Sequence, residues 1–251
     1  MMQICLVTTL TLGAMSLGAI AETPIASWTF DDDNENFVIH DAEFVAGRDD
    51  KGRALRFDGV KSCVDCGADE KWHLAREFTI EAVIKPTAPR LHNMTIVAKG
   101  YRYAGRYNLR TGIPWDRSKL IFEVGAHQTH EIPIPFDEWA EIAAVCDGQR
   151  VATFLNGKLL SVRPFGGGFK TNDTPLTIGK AIGAPDGGEF FEGLIDEVRL
   201  YDVALPKYKL EGATGADINR GNPACTTNER TISSPVPSCH LTCVGWRPWT
   251  T

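Results

Sequence analysis

An all-β, two-sheet antiparallel β-sandwich is the fold class this sequence predicts. Three observations carry that prediction. Short runs of alternating apolar and polar residues recur from Pro24 to Tyr201, separated by Gly, Asp, Asn and Pro. No apolar period of four helical turns interrupts them. Asn156-Gly157 sits between two such runs and supplies the two positive-φ positions that a two-residue hairpin turn needs.

The elements follow in order. Pro24 to Phe30 is a first strand, with Ile25, Ser27 and Thr29 on one face and Ala26, Trp28 and Phe30 on the other. Arg53 to Phe57 is a second, closed by Asp58-Gly59. Phe78 to Ile84 alternates cleanly until Pro86, which puts Phe78, Ile80, Ala82 and Ile84 on one side. Thr95 to Lys99, Arg106 to Arg110, Lys119 to Val124, Gln128 to Ile134 and Glu141 to Cys146 come next. Val151 to Leu155 and Lys158 to Val162 flank the Asn-Gly turn. Gly193 to Tyr201 is the last strong strand, and its parity places Leu194, Asp196, Val198 and Leu200 on a shared, inward face. Leu205 to Leu210 is read as one short helix. Two packed sheets around one core are the consistent assembly, with Trp28, Phe57 and Trp139 as core residues.

The ends differ from this body. Ile4 to Ile20 carries no charge and runs into Ala19-Ile20-Ala21, an A-x-A pattern, so residues 1–21 read as a signal peptide. A membrane anchor is the alternative for a stretch of that length, and Met1-Met2-Gln3 lacks the usual basic residue. The domain then spans 22–211, with no further membrane span, and the chain is expected outside the cell or in a periplasm. From Gly212 the periodicity vanishes, and residues 212–251 are a Cys-containing tail, either disulfide-tied or loosely ordered.

The net charge of −6, with no basic run, argues against a nucleic-acid surface. An anionic ligand would need a local Arg or Lys cluster. Of the seven cysteines, Cys5 leaves with the signal, and Cys63, Cys66, Cys146, Cys225, Cys239 and Cys243 remain. Export favours disulfides, whose pairing stays open. Cys63-Val64-Asp65-Cys66 suggests zinc or redox chemistry at first sight. On a strand, however, residues three apart face opposite ways, and no second CxxC completes a site.

Five stretches in order resemble the laminin-G-like, concanavalin A-like jelly-roll family. Ala26-Ser-Trp-Thr-Phe-Asp31 is similar to its opening strand, and Gly52-Arg-Ala-Leu-Arg-Phe-Asp-Gly59 to its G-x-A-L-x-F-D-G signature. Phe78 to Pro86 resembles its F-T-I-x-A-W-I-K-P strand, with Val83 where the family has Trp. Trp139 to Gly148 with Asn156-Gly-Lys158, and Phe191 to Asp202, resemble its later hairpin and closing strand. The resemblance implies the jelly-roll fold over about residues 25 to 210. It does not choose among lectins, sugar-binding modules, lyases and hydrolases.

The resemblance implies a structural Ca²⁺ near the sheet rim, with Asp31 (and Asp32 or Asp33), Asp58 and Asp196 as ligands, since Ca²⁺ takes six to eight oxygens. Asp196, read as inward, needs a metal or a partner; an Arg or backbone N–H groups would also serve. Gln128 and His130 share a strand face and resemble one element of polysaccharide lyases of this fold. Arg110, Tyr107 and Tyr103 nearby would neutralise a uronate and move protons. The lyases' Arg-rich opening motif and later Tyr-rich strand are not recognisable here, so an exposed polar sheet face is the plainer account.

Tyr101, Arg102, Tyr103, Arg106 and Trp115 form an aromatic–Arg loop group suited to stacking on a sugar, or to packing on the sandwich rim. Glu192, Asp196 and Glu197 do not reproduce the alternating carboxylates of retaining glucanases, because Leu194 intervenes and Glu197 faces away. Asn93 and Asn172 lie in glycosylation sequons that matter in a eukaryotic host. The expectation is a secreted carbohydrate-binding protein with a structural calcium, its partner a polysaccharide or glycan. A polysaccharide lyase and an extracellular adhesion module are the alternatives.

Overall fold

The computed structural model describes residues 22–32, 37–87, 93–101, 107–112, 119–129, 132–167, 170–184 and 189–210. Sixteen strands are described: β1 Ala26–Trp28, β2 Val38–His40, β3 Glu43–Ala46, β4 Arg53–Asp58, β5 Cys63–Asp65, β6 Glu77–Pro86, β7 Met94–Lys99, β8 Tyr107–Thr111, β9 Lys119–Val124, β10 His127–Gln128, β11 Ile132–Pro133, β12 Ala140–Asp147, β13 Arg150–Leu155, β14 Lys158–Pro164, β15 Leu176–Ile178 and β16 Glu192–Tyr201. They form two antiparallel sheets. The first runs β14-β13-β12-β6-β16-β4-β3, with β1 also on β16; the second runs β10-β9-β8-β7-β15-β5-β2, with β11 on β9. The expected two-sheet sandwich is therefore observed.

The alternation that marked β6 decides its packing. Phe78, Ile80, Ala82 and Ile84 all face the core, where the Phe78 ring lies 5.1 Å from that of Tyr107 and 5.8 Å from that of Phe122. Each such large side chain contributes about 1.5–3 kcal/mol by leaving water. Trp28 and Trp72 meet at 5.6 Å further along the same core. Asn156 and Gly157 both take positive φ, as the hairpin turn between β13 and β14 demands.

Three readings change besides that of Trp139, which is half-buried and stands outside the core that holds Trp28 and Phe57. The stretch from Gln128 to Ile134 is two short strands rather than one. Thr129 turns inward between them, exchanging bonds with Phe122 through its N–H at 2.9 Å and its Oγ1 at 3.0 Å. Leu205 to Leu210 is a turn, not a helix. The Thr79 hydroxyl donates to the Val203 carbonyl at 2.9 Å and accepts the Leu205 N–H at 3.0 Å, pinning the chain in a non-helical path. The segment then crosses the outer face of the first sheet, where Leu210 and Tyr208 pack on Val145, Phe154 and Val162 as a second small core.

The third change concerns β16. A bulge between Ile195 and Glu197 shifts its register against β6. Inward positions are Ile195 before the bulge and Val198 and Leu200 after it, so Leu194 and Asp196 face away from the core. Simple alternation fails there because the extra residue flips the parity.

Cys63, Cys66 and Cys146 are free and buried, so the disulfides expected for an exported chain do not involve them among the described residues. Cys66 belongs to the core, whereas Cys63 on the opposite strand face lines a depression with Lys61 and Lys180. That is the strand geometry which argued against a CxxC metal or redox site. Among the described residues no helix is long and apolar enough to cross a membrane.

Candidate functional site

The bulge at Asp196 falls where two strands share one edge of β16. β1 pairs with Val198 to Leu200, and β4 pairs with Glu192 to Ile195. The chain leaving β1 and the loop entering β4 therefore converge on Asp196. Asp31 follows β1, and its Oδ1 accepts the Arg53 N–H at 2.7 Å. The 47–52 loop approaches from the other side, and Arg48 donates its backbone N–H to Asp196 Oδ2 at 2.5 Å.

Glycine is required at both ends of that loop. A Cβ on Gly52, whose φ is +60°, would lie 2.1 Å from Asp31 Oδ1. A Cβ on Gly47 would lie 2.2 Å from the Lys51 carbonyl and 3.0 Å from Asp196 Oδ2. Asp49 and Asp50 also adopt left-handed conformations, which cost an ordinary residue about 1–2 kcal/mol. Burial first, and the Asp31 charge second, raise the Asp196 carboxyl above its ordinary range, against the opposing pull of the Arg48 N–H. Asp58 is elsewhere on β4 and is already satisfied. Its Oδ1 caps the turn that follows, accepting from Val60, Lys61 and Ser62 at 2.8–3.0 Å. Asp32 is exposed beside this rim. Asp33 lies outside the described residues.

A cleft of about 460 Å³ opens from this rim across the outer face of the first sheet. Its floor is set by register. Val83 of β6 stands directly between Glu141 of β12 and Glu197 of β16, and in the next row Glu81 stands beside Arg199. The 47–52 loop forms one wall, and Lys207 and Tyr208 form the other. Arg48 reaches across, its Nη1 at 2.5 Å from Glu141 Oε1. Glu197 pairs with Arg199. Glu81 is held by Lys207 Nζ at 2.5 Å, by the Tyr201 hydroxyl at 3.2 Å and by the Tyr208 hydroxyl. Burial raises the Glu197 carboxyl, partly offset by Arg199. It also raises the Tyr208 phenol, reinforced by Glu81. The lining holds six carboxylates and four cations, a mixed field with a negative excess.

The residues expected to form a lyase-like groove are only partly brought together. Arg110 and Gln128 lie on the outer face of the second sheet, with Glu123 opposite both Gln128 and Asn108. Arg110 is engaged by Glu123, its Nη2 at 3.0 Å and its Nε at 3.3 Å, and by the Gly112 carbonyl. Tyr107 faces the other way. It is fully buried, and its hydroxyl donates to the Trp72 carbonyl at 3.3 Å, because strand alternation sends it into the core beside Leu109. It is thus not available as a proton carrier beside Arg110. Tyr101 is half-buried next to Gly183. Arg102, Tyr103, Arg106, Trp115 and His130 lie outside the described residues.

Sequence reasoning did not single out Arg48, Glu81, Glu141, Lys207 or Tyr208. The one signal within reach was β6 itself: with Phe78 to Ile84 inward on even positions, Glu81 and Val83 must point outward.

Two antiparallel sheets packed face to face, with β1 and β16 paired in one of them, define a jelly-roll β-sandwich of the lectin type. The chain belongs to the concanavalin A-like lectin/glucanases superfamily, whose family model matches residues 58–209. Among solved structures it is similar to domain 4 of AbnA, a GH43 extracellular arabinanase from Geobacillus stearothermophilus, in complex with arabinotriose. The identity there is 18%, over 73% of this chain and 94% of that one, with a TM-score of 0.57. It is similar to a mutant Trypanosoma rangeli sialidase displaying trans-sialidase activity (13% identity, 68% of this chain, 28% of that one, TM-score 0.50). It is also similar to the receptor binding domain of botulinum neurotoxin D (9% identity, 68% and 45%, TM-score 0.50). At these identities the likeness is one of fold. No curated protein matches the chain.

Proposed function

We propose that this chain is an exported carbohydrate-binding protein whose sandwich rim is tied by a structural calcium. The observation that carries the reading is the fold likeness over 94% of an arabinanase domain solved with arabinotriose. The burial of Tyr107 and the pairing of Arg110 with Glu123 remove two of the groups that a lyase reading would use, while His130 and Tyr103 lie outside the described residues. Export rests on the apolar, uncharged stretch ending in Ala19-Ile20-Ala21.

The rim suits a hard divalent cation. Asp31 and Asp196 sit against the two ends of the 47–52 loop, accepting the Arg53 and Arg48 N–H groups, and Gly47 and Gly52 add no side chain between them. No three acidic, His or Cys side chains cluster among the described residues, so carbonyl oxygens of the 47–52 loop would complete the shell. Calcium there would supply positive charge that joins the end of β1, the 47–52 loop and the β16 bulge. The test is calorimetric titration of the purified mature chain with soluble polysaccharides and their oligosaccharides, arabinan included, with calcium and with chelator. Saturable binding to at least one, weakened by chelator, is expected. No binding to any member of the panel would overturn the reading.

A further inference from the structure

We infer that the cleft on the outer face of the first sheet, floored by Val83 between Glu141 and Glu197, is the carbohydrate subsite, and that it takes a neutral oligosaccharide. This assignment rests on the carbohydrate-binding reading above. It places the ligand on the sheet that carries β1 and β16, not on the loop aromatics or the second-sheet face that the sequence offered as candidates.

The volume is the first support. About 460 Å³ falls within the roughly 300–1,000 Å³ of small-molecule sites. The chemistry of the lining is the second. Sugar rings present vicinal hydroxyls that donate and accept at fixed spacing, and planar carboxylate and guanidinium groups match them in pairs. Glu141 with Arg48 and Glu197 with Arg199 place one such acceptor–donor couple on each side of Val83. A guanidinium has five N–H donors and a carboxylate about four lone-pair sites, so each couple keeps bonding capacity beyond its own ion pair. The couples also hold the side chains in place before a ligand arrives, which lowers the ordering cost of binding.

The floor is the third support. Val83 is apolar and short, and it gives a C–H face of a sugar ring something to rest on between the polar walls. Its two cross-strand neighbours are Glu141 and Glu197, so a longer side chain at this position fills the cleft.

Charge selects the class of sugar. Away from the rim pair Asp31 and Asp196, which calcium would neutralise, Glu141, Glu197 and Glu81 are matched by Arg48, Arg199 and Lys207, so the floor offers a uronate, sialic acid or sulfated chain no excess positive charge. Both Arg side chains are already partnered by Glu, so an acidic sugar would have to displace a carboxylate. A neutral sugar bonds to both members of each couple without separating them.

The experiment uses the full mature chain with calcium. Arabino-, xylo-, manno- and cello-oligosaccharides are titrated, with a uronate trimer as the charged comparison. The variants are Val83→Trp, which fills the cleft and leaves its charges, Glu197→Gln, which keeps the shape, and Gln128→Ala on the second sheet. Circular dichroism and thermal melting check folding, and Glu197→Gln stands in if Val83→Trp does not fold. Expected is affinity for a neutral oligosaccharide that falls about tenfold or more in Val83→Trp and Glu197→Gln and is unchanged in Gln128→Ala. The uronate trimer should bind more weakly than its neutral counterpart. Unchanged affinity in both cleft variants, or loss in Gln128→Ala alone, would overturn the site while leaving carbohydrate binding intact. Preference for the uronate would overturn the ligand class. A wild-type chain that binds nothing in the panel would overturn both.

Discussion

Arg48 donates its backbone N–H to Asp196 Oδ2 at 2.5 Å, while its own guanidinium reaches Glu141 Oε1 at 2.5 Å. One residue of the 47–52 loop therefore touches both the rim carboxylate of Asp196 and the cleft. A cation between Asp31 and Asp196 would fix this loop. Calcium is expected to raise the melting temperature by about 5–10 °C at a hundredfold excess over its Kd, since binding at that level contributes about 2.7 kcal/mol. Asp196→Asn retains an acceptor for the Arg48 N–H but loses the charge, so it should fold and show no shift. Differential scanning calorimetry with and without calcium measures both.

Gly52→Ala should cost about 2 kcal/mol or more. Its backbone is left-handed at φ +60°, and the new Cβ would lie 2.1 Å from Asp31 Oδ1. Urea melts in calcium should reveal the loss, and the calcium-dependent shift should shrink with it.

Asp58 provides a pH test. Burial alone would raise its carboxyl, but N–H groups of Lys61, Ser62 and Val60 prevail and hold it well below the ordinary carboxylate range. A carboxyl lowered in the fold stabilises the protein above its unfolded pKa, and that stabilisation is lost as pH falls toward the folded value. Asp58→Ala should therefore cost about 1–3 kcal/mol at pH 7, and the gap from wild type should narrow below about pH 4. Urea melts of both proteins at neutral and acid pH check the sign.

The thiols of Cys66 and Cys146 should be slow to react in the native state. Burial pushes Cys146 up to about 11 and Cys66 higher still. A thiol reagent at pH 8 should modify them only on unfolding, and mass mapping of the labelled peptides gives the order. Rapid native labelling of Cys66 would contradict its place in the core.

Much of the fold was legible in the sequence, and little of the cleft was. β6, the Asn156-Gly157 hairpin and β9 announce themselves through period-2 patterning, because each contributes an inward row to one core. β2, β3 and β15 have only three or four residues, too few for a period, and Val38 and Phe44 are exposed at sheet edges. Asp196 was legible as an acid needing a partner but not as outward, because a bulge changes parity without leaving a mark in the local sequence. The Glu141–Val83–Glu197 row joins three strands far apart in the chain, and only the register brings them together. Tyr107 was misplaced for a simpler reason: it shares a strand with Arg110 but has the opposite parity.

The central claim is that the sandwich holds a carbohydrate. The most direct measurement is isothermal titration of the calcium-loaded mature chain with neutral oligosaccharides, arabinotriose first among them. The account predicts a saturable heat with at least one, reduced when calcium is chelated and about tenfold weaker in Glu197→Gln. A flat titration across the whole panel, from a chain that melts cooperatively and binds calcium, would contradict it.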